Sequence, residues 1–117
     1  MRLSPECCEK AKKTTPALLV LPWARLAQRI IQLRGEPNFS PDGLAARSHA
    51  EYVEGRTLRD MIKEDLIAER VAIESYREMI GYLGEQDTTT RRMLEEILAA
   101  EEEHADDLSS LLEGLTA

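Results

Sequence analysis

Two long proline-free segments, separated by a short turn, constrain the fold of this chain more than any other feature. Apolar residues recur at alternating steps of four and three through residues 57–83 and again through residues 89–115. This spacing places them along one face of an α-helix. Between the segments, Gly84 suits the end of one helix, and Asp87 or Thr88 suits the start of the next. The pattern predicts two antiparallel helices, each about 40 Å long at 1.5 Å per residue.

The residues before this hairpin predict one shorter helix and two irregular segments. Residues 1–22 hold three of the five prolines and show no steady apolar period, so we expect irregular structure there. Residues 23–34 fit a short amphipathic helix that ends near Gly35. Residues 35–55 are rich in Gly, Pro, Asn and Ser and form a long connection. We therefore predict an all-α chain whose folded domain spans residues 23–117.

Composition argues against several classes of protein. The 117 residues carry a net charge of −7, which argues against a nucleic-acid partner because phosphate contacts require a basic face. Aromatic residues make up only 4% of the chain, which is unlike a β-sandwich. The longest apolar stretch, residues 17–23, contains Pro22 and is far shorter than the roughly 20 residues of a membrane-spanning helix. We expect no nucleic-acid or membrane partner, whereas metal cations and basic partners stay open.

The first residues favour a cytoplasmic protein. Charged side chains, among them Glu6, Glu9 and Lys10, precede an apolar run of only a few residues, which is unlike a secretory signal. Cys7 and Cys8 are adjacent, so a disulfide between them would close a strained ring. A metal site would need a second ligand pair at a recognisable spacing, and the sequence has none. We expect two free thiols in a reducing compartment.

One glutamate interrupts the apolar face of each long helix near its middle. The first face consists of Ile62, Leu66, Glu69, Ile73, Tyr76, Ile80 and Leu83. The second face consists of Leu94, Leu98, Glu101, Ala105, Leu108, Leu112 and Leu115. Glu69 and Glu101 each lie fourteen residues from the turn, about 21 Å along their helices, so they face each other across the hairpin. A buried carboxylate is costly unless it is paired or bound to a cation, so both glutamates require an explanation.

A histidine completes a candidate metal site at this level. His104 lies one turn beyond Glu101 in a Glu-x-x-His motif, and two carboxylates with an imidazole suit iron, manganese or zinc. A Glu from one helix with Glu-x-x-His from its neighbour is half the ligand set of a di-iron carboxylate bundle. Two plainer interpretations stay open. The motif also arises wherever a histidine follows an acidic run such as residues 101–103, and Glu69 can extend outward from the edge of a helix face.

Three further polar residues are candidates for roles near this site. Tyr76 lies two turns after Glu69 on the same face, where it would bond a ligand or donate an electron; the alternative is an ordinary core tyrosine. Asp65, one turn before Glu69, either orients the ring of His104 or is a surface aspartate. His49 lies in the polar connection with no acidic partner at helical spacing, so we interpret it as a loop histidine.

Several segments resemble the bacterioferritin branch of the ferritin-like superfamily, over roughly three quarters of the chain. They are Arg29-Ile30-Ile31-Gln32-Leu33, Glu36-Pro37-Asn38, Asp65-Leu66-Ile67-Ala68-Glu69 and Ile97-Leu98-Ala99-Ala100-Glu101-Glu102-Glu103-His104, the last being the most specific. The family is a four-helix bundle with one long crossover between its second and third helices. The resemblance therefore implies that residues 57–83 and 89–115 are the third and fourth helices, and that the short helix is the tail of the second. Residues 35–55 would then run the length of the bundle.

The same resemblance implies iron chemistry at half of the usual site. Members of this branch bind two irons, oxidise Fe(II) with oxygen or peroxide, and store ferric mineral inside a protein shell. Glu69, Glu101 and His104 match one of the two ligand sets. The family's first helix has no counterpart here, and the other Glu-x-x-His would fall on Leu19 and Pro22, which do not bind metal. Haem is not expected, because the remaining part of the second helix lacks the methionine that would ligate it.

Two copies of the hairpin would restore four helices and a complete di-iron ligand set. A lone hairpin leaves its inner face uncovered, which favours a homo-oligomer or association with an intact ferritin-like homologue. We therefore expect an iron-binding protein of the bacterioferritin type that oxidises Fe(II) for storage or detoxification. The alternative is a structural or interaction subunit with an inactive site. A manganese or peroxide-handling relative would differ only in its metal, which ligand type does not resolve.

Overall fold

The computed structural model describes residues 21–116, and these residues form four α-helices. In chain order the helices are α1 (Pro22–Gln32), α2 (Leu44–Arg47), α3 (Leu58–Leu83) and α4 (Thr88–Thr116). No strand occurs within this range, and the predicted all-α class is confirmed. No helix in the same range is long and apolar enough to cross a lipid bilayer. The predictions for the first 20 residues, including the free thiols of Cys7 and Cys8, lie outside the described residues.

Contacts divide the chain into two compact units, residues 1–39 and 40–117. In the first unit, α1 begins one residue before the predicted start. Pro22 occupies its first turn, where the fixed φ of proline suits a helix and the missing N–H is not needed. After the helix, the Gly35 N–H donates a hydrogen bond to the Ile30 carbonyl oxygen at 2.8 Å, which closes the helix end close to the predicted stop.

The connection predicted over residues 35–55 contains one short helix, α2, in the second unit. Gly43 precedes this helix with a φ of 70°, a backbone conformation that favours glycine. The following Leu-Ala-Ala-Arg sequence consists of good helix formers, and the Arg47 guanidinium donates to the Ser40 carbonyl oxygen at 3.1 Å. The connection is therefore long, as predicted, but it is not free of helix.

Side-chain caps set where the two long helices begin. The Thr57 hydroxyl accepts a hydrogen bond from the Asp60 N–H at 3.1 Å, and the Asp60 carboxylate accepts one from the Thr57 N–H at 3.2 Å. This reciprocal capping box satisfies two otherwise unpaired donors at the start of α3. At the start of α4, the Asp87 carboxylate accepts from the Thr90 N–H at 3.0 Å. Of the two residues proposed for this cap, Asp87 is the one that bonds the backbone.

The turn between α3 and α4 depends on Gly84 and Arg91. Gly84 has a φ of 51°, in the region that side chains rarely adopt, and its N–H donates to the Ile80 carbonyl oxygen at 3.1 Å. The Arg91 guanidinium, from the first turn of α4, donates to the Gly84 carbonyl oxygen at 2.7 Å. These bonds close the hairpin and determine the level at which residues of α3 meet residues of α4.

Four buried apolar side chains form the seam of the hairpin. They are Leu66 and Ile73 of α3 and Leu94 and Ile97 of α4, which retain between 2% and 7% exposure. Three of them belong to the predicted faces, whereas Ile97 does not. It is buried because a helix contacts its neighbour through a band of side chains wider than a single line of residues three and four apart.

Much of the remaining apolar surface of the long helices is exposed. The large exposed apolar residues of α3 and α4 include Leu58, Met61, Ile67, Met79, Leu111 and Leu115. Leu115 was predicted to lie on an inner helix face, yet it is 48% exposed. Two helices touch along one edge of each apolar face, and a second layer is required to cover the rest. The hairpin is therefore incomplete as a hydrophobic core.

Candidate metal centre

The structure brings the three predicted ligand residues together at the middle of the hairpin. Glu69 projects from α3, while Glu101 and His104 project from consecutive turns of α4. Their ligand atoms, two carboxylate oxygens and one ring nitrogen, all lie within 4.8 Å of one another. Glu69 and Glu101 are partly buried, and His104 is exposed. Such an arrangement of oxygen and nitrogen donors fits a divalent transition metal.

The two candidate ligands on α4, Glu101 and His104, contact each other. His104 Nδ1 lies 3.3 Å from Glu101 Oε2. The Glu101 side chain is 13% exposed and the His104 side chain is 56% exposed. The site is therefore covered by protein at Glu101 and open to solvent at His104. The three-residue spacing on one helix produces this contact, because side chains one turn apart stack on the same face.

Burial raises the pKa of the Glu69 carboxyl group from its ordinary 4.5 to about 7. A hydrogen bond with Glu101 and the negative charge of Glu101 act in the same direction, and Asp65 adds a smaller increase. The charge of His104 opposes them. Two carboxyl groups held this close are stabilised by either a proton or a cation between them.

An open hollow of about 540 Å³ surrounds these ligands on one side of the hairpin. Ala68 and Ala72 line it from α3, and their small side chains leave space beside the carboxylates. Asp65 and Asp107 line the same hollow and add two more acidic groups. Sequence reasoning missed Asp107, although it lies one turn after His104 and continues the three-residue spacing.

Tyr76 is half-buried in the same part of the hairpin. Burial raises the pKa of its hydroxyl above the ordinary value of 10.0, and the charges of Glu101 and Glu69 act in the same direction. The influence of both glutamates places the tyrosine near the site, as the helical spacing predicts. Asp65 is exposed, and His49 lies in the connection before α3. The structure therefore gathers Tyr76 and Asp65 around the ligands and leaves His49 apart from them in the loop.

A separate ion-pair cluster joins the helices on the other side of the hairpin. The Arg77 guanidinium contacts Glu102 of α4 at 2.9 Å and Glu74 of its own helix at 2.9 Å. Glu102 directly follows the candidate ligand Glu101, so the two neighbouring carboxylates lie on different faces of α4. The Arg77–Glu102 ion pair therefore links α3 to α4 near the level of the candidate site.

Comparison with known proteins identifies the family. Residues 23–117 match the ferritin family through its ferritin-like domain. Bacterioferritins from Mycobacterium bovis and Mycobacterium tuberculosis are 36% identical to the chain over 89 residues, which is 75% of this chain and 52% of theirs. The chain thus spans about half the length of the curated relatives it matches.

A solved structure supports the same relationship. The bacterioferritin-related protein from Bacteroides fragilis, described as a dodecameric thioferritin, superposes with a TM-score of 0.73 at 31% identity. The match covers 80% of this chain and 58% of that protein. The sequence relatives and the solved structure therefore point to the same family. The chain belongs to the ferritin-like family and is related to the bacterioferritins.

Proposed function

We propose that this protein binds two iron ions at a site completed by a second copy of the chain, and that it oxidises Fe(II) for storage or detoxification. The convergence of Glu69, Glu101 and His104 within 4.8 Å is the observation that carries this proposal. The family relationship supports iron as the metal, since the relatives are bacterioferritins. Ligand chemistry alone would also accept manganese or zinc.

The charge and the surface of one hairpin both favour a site made from two chains. One chain supplies two carboxylates and one imidazole, which is half of a di-iron ligand set. Two chains would supply four carboxylates, whose charge balances that of two Fe(II) ions. Asp107 lines both the hollow at the ligands and a neighbouring groove formed by the exposed Leu58 and Leu111, so exposed apolar surface adjoins the ligands. Association would therefore cover apolar surface and complete the ligand set together.

Each ligand has a distinct role in the proposed site. Glu69 and Glu101 would hold the metal through their carboxylates, and His104 would hold it through its imidazole. Asp65 and Asp107 surround the hollow with negative charge, which attracts cations toward the ligands. In the reaction, two Fe(II) ions lose one electron each, and hydrogen peroxide with two protons is reduced to two waters; oxygen is the alternative oxidant. Tyr76 is proposed to hydrogen-bond a ligand of the site, because the two Fe(II) ions already supply both electrons that peroxide accepts.

A second candidate function is a structural ferritin-like subunit without metal, which associates with an intact homologue. One observation favours it: the raised pKa of Glu69 and its hydrogen bond to Glu101 allow a proton to satisfy the pair. Metal binding distinguishes the two functions, since a structural subunit would keep its fold and lose nothing when the carboxylates are neutralised. A cytoplasmic location is expected for either function.

Anaerobic titration with Fe(II), combined with light scattering, tests the proposal. We expect a dimer or a multiple of it that binds two irons for each pair of chains. Glu101→Gln should abolish iron binding because it removes a ligand charge, and Glu103→Gln is the matched control because Glu103 is exposed on the same helix. An unchanged iron stoichiometry in Glu101→Gln, or an iron-free wild-type protein, would contradict the proposal.

A further inference from the structure

Three polar side chains follow one another at three-residue steps along the same side of α4. They are Glu101, His104 and Asp107, and all three line the hollow of the candidate metal centre. Three residues correspond to about 4.5 Å along a helix, so each of these side chains is within reach of the next. The hollow therefore contains a row of donor groups that runs along α4, away from the turn of the hairpin.

The two ends of this row differ in their exposure to solvent. The Glu101 side chain is 13% exposed, whereas His104 is 56% exposed and Asp107 is also exposed. The side-chain charges that act on the pKa of Glu69 are those of Glu101, His104 and Asp65, and Asp107 is not among them. Asp107 is therefore the outer member of the row, and Glu101 is the inner member that meets Glu69.

Asp107 also borders the groove at the end of the hairpin away from the turn. Apolar and small side chains, among them Leu58, Leu111 and Leu115, form the rest of this groove. Among the described residues that line it, Asp107 is the only charged one. A cation that approaches from this end of the hairpin therefore meets the Asp107 carboxylate before it meets His104.

The hollow is large enough for a metal ion that still carries its water. An ion with six waters needs roughly 200 Å³, at about 30 Å³ for each water, and the hollow measures about 540 Å³. A hydrated ion has to exchange its waters for protein ligands in steps. A carboxylate at the rim is suited to the first exchange, because hard divalent ions prefer charged oxygen ligands.

Building on the proposed function, in which Fe(II) is the substrate, we propose that Asp107 makes the first contact with the incoming ion and passes it to His104, from which it reaches Glu101 and Glu69. Asp107 is not a ligand of the final site, because the atoms that converge within 4.8 Å belong to the other three residues. The row belongs to a single chain, so this order of contacts does not depend on a second copy.

A residue on the route of an ion has a distinctive effect on kinetics. The ion leaves by the route along which it entered, so loss of the residue slows binding and release together and leaves their ratio, the Kd, almost unchanged. Loss of a ligand instead raises the Kd, mainly through faster release. A general attraction by negative charge would depend similarly on other acidic side chains nearby. Measuring both rates separates these three effects.

Co(II) is a suitable probe, because it accepts the same oxygen and nitrogen ligands as Fe(II) and its visible absorption changes on coordination. Stopped-flow mixing measures the rate of binding, and a chase with excess chelator measures the rate of release. We expect Asp107→Asn to slow both rates roughly tenfold and to leave the Kd within about threefold of the wild-type value. Asp107→Glu retains the charge and should keep most of the wild-type rates.

Asp106→Asn is the matched control for this substitution. Asp106 precedes Asp107 on α4 but lines the groove on the opposite side of the hairpin, together with Arg77 and Glu102. Both substitutions remove one negative charge, so a general field effect would slow binding equally in the two variants. We expect Asp106→Asn to change either rate by less than about threefold, because solvent and salt screen its charge from the hollow.

The outcomes distinguish this proposal from the proposed function. Wild-type protein that binds no Co(II) would contradict the proposed function and this proposal with it. Wild-type rates in Asp107→Asn, or equal slowing in Asp106→Asn, would overturn the role of Asp107 and leave the metal site intact. A raised Kd with an unchanged rate of binding would make Asp107 a ligand and would also overturn its role in transfer. Circular dichroism of each variant establishes that the helices are intact before the rates are compared.

Discussion

Glu69 of α3 and Glu101 of α4 meet across the hairpin with their ligand atoms and that of His104 all within 4.8 Å. Their backbones belong to helices that run in opposite directions, and the turn at Gly84 brings them to the same level. On the opposite side, Arg77 contacts Glu102 at 2.9 Å and holds the same two helices together. The two glutamates therefore lie between two links of the helices, one at the turn and one at the outer edge of the hairpin.

The stability of the metal-free protein should depend on pH through Glu69. The folded state raises the pKa of this carboxyl group from 4.5 to about 7, so the folded state binds the proton more tightly than the unfolded state. Its contribution to the free energy of unfolding is therefore fully present below about pH 4.5 and is lost as pH rises through about 7. Urea denaturation at several pH values measures this, and Glu69→Gln should flatten the slope over that window.

The matched control for this pH dependence is Glu78→Gln on the same helix, where the side chain is exposed. It should leave the slope between about pH 4.5 and 7 as in the wild-type protein. Saturating divalent metal should reverse the trend, because the metal competes with the proton for the carboxylates. A wild-type slope identical to that of Glu69→Gln would contradict the prediction.

Replacing Glu69 with methionine should stabilise the metal-free protein by about 1 kcal/mol, because an apolar side chain replaces a partly buried carboxylate. The same change should remove the rise in melting temperature that Fe(II) produces, since that rise depends on binding to the folded state. Thermal denaturation with and without anaerobic Fe(II) measures both effects. Glu78→Met, at an exposed position of the same helix, should retain the metal-dependent rise. A retained rise in Glu69→Met would count against Glu69 as a ligand.

Ile97→Ala should destabilise the hairpin by about 3 kcal/mol, because it creates a cavity in the seam. Ile97 is 2% exposed, which is the lowest value among the four buried side chains of the described residues. Ile67→Ala is the control, since Ile67 is 43% exposed, and it should cost less than about 1 kcal/mol. Denaturant unfolding compares the two variants. Equal losses would show that Ile97 is not a core residue in solution.

Asp87→Ala should cost about 1 kcal/mol, because it removes the side-chain acceptor at the start of α4. The neighbouring Thr88→Ala should have a much smaller effect, since Thr88 is exposed and Asp87 bonds the Thr90 N–H. Chemical denaturation at neutral pH measures both. Iron stoichiometry should be unchanged in Asp87→Ala, because the cap lies at the turn and the ligands lie in the middle of the helices. A larger loss from Thr88→Ala would assign the cap to Thr88.

Features that depend on local chain geometry were predictable from the sequence. The spacing of Leu66, Glu69 and Ile73 predicts one helix face, and the Glu101-x-x-His104 motif places two ligands one turn apart, because a helix repeats regularly. Glu69 and Glu101 are equally far from the turn, which predicted that they lie at the same level of the hairpin. The prediction that the metal is iron came from the family resemblance. Helix bounds differed from the predictions by only a few residues, where caps and a proline decide the terminal turn.

Features that depend on how α3 and α4 rotate against each other were decided by the tertiary structure. Ile97 is buried in the seam, although the predicted apolar face did not include it. Leu115 is exposed, although the predicted face did include it. Asp107 joins the metal hollow for the same reason. The pKa of Glu69 also depends on packing, since burial and the approach of Glu101 raise it. The sequence by itself determined the helices, the turn and the candidate ligand residues. The relative placement of the two helices decided which side chains are buried and which carboxyl groups interact.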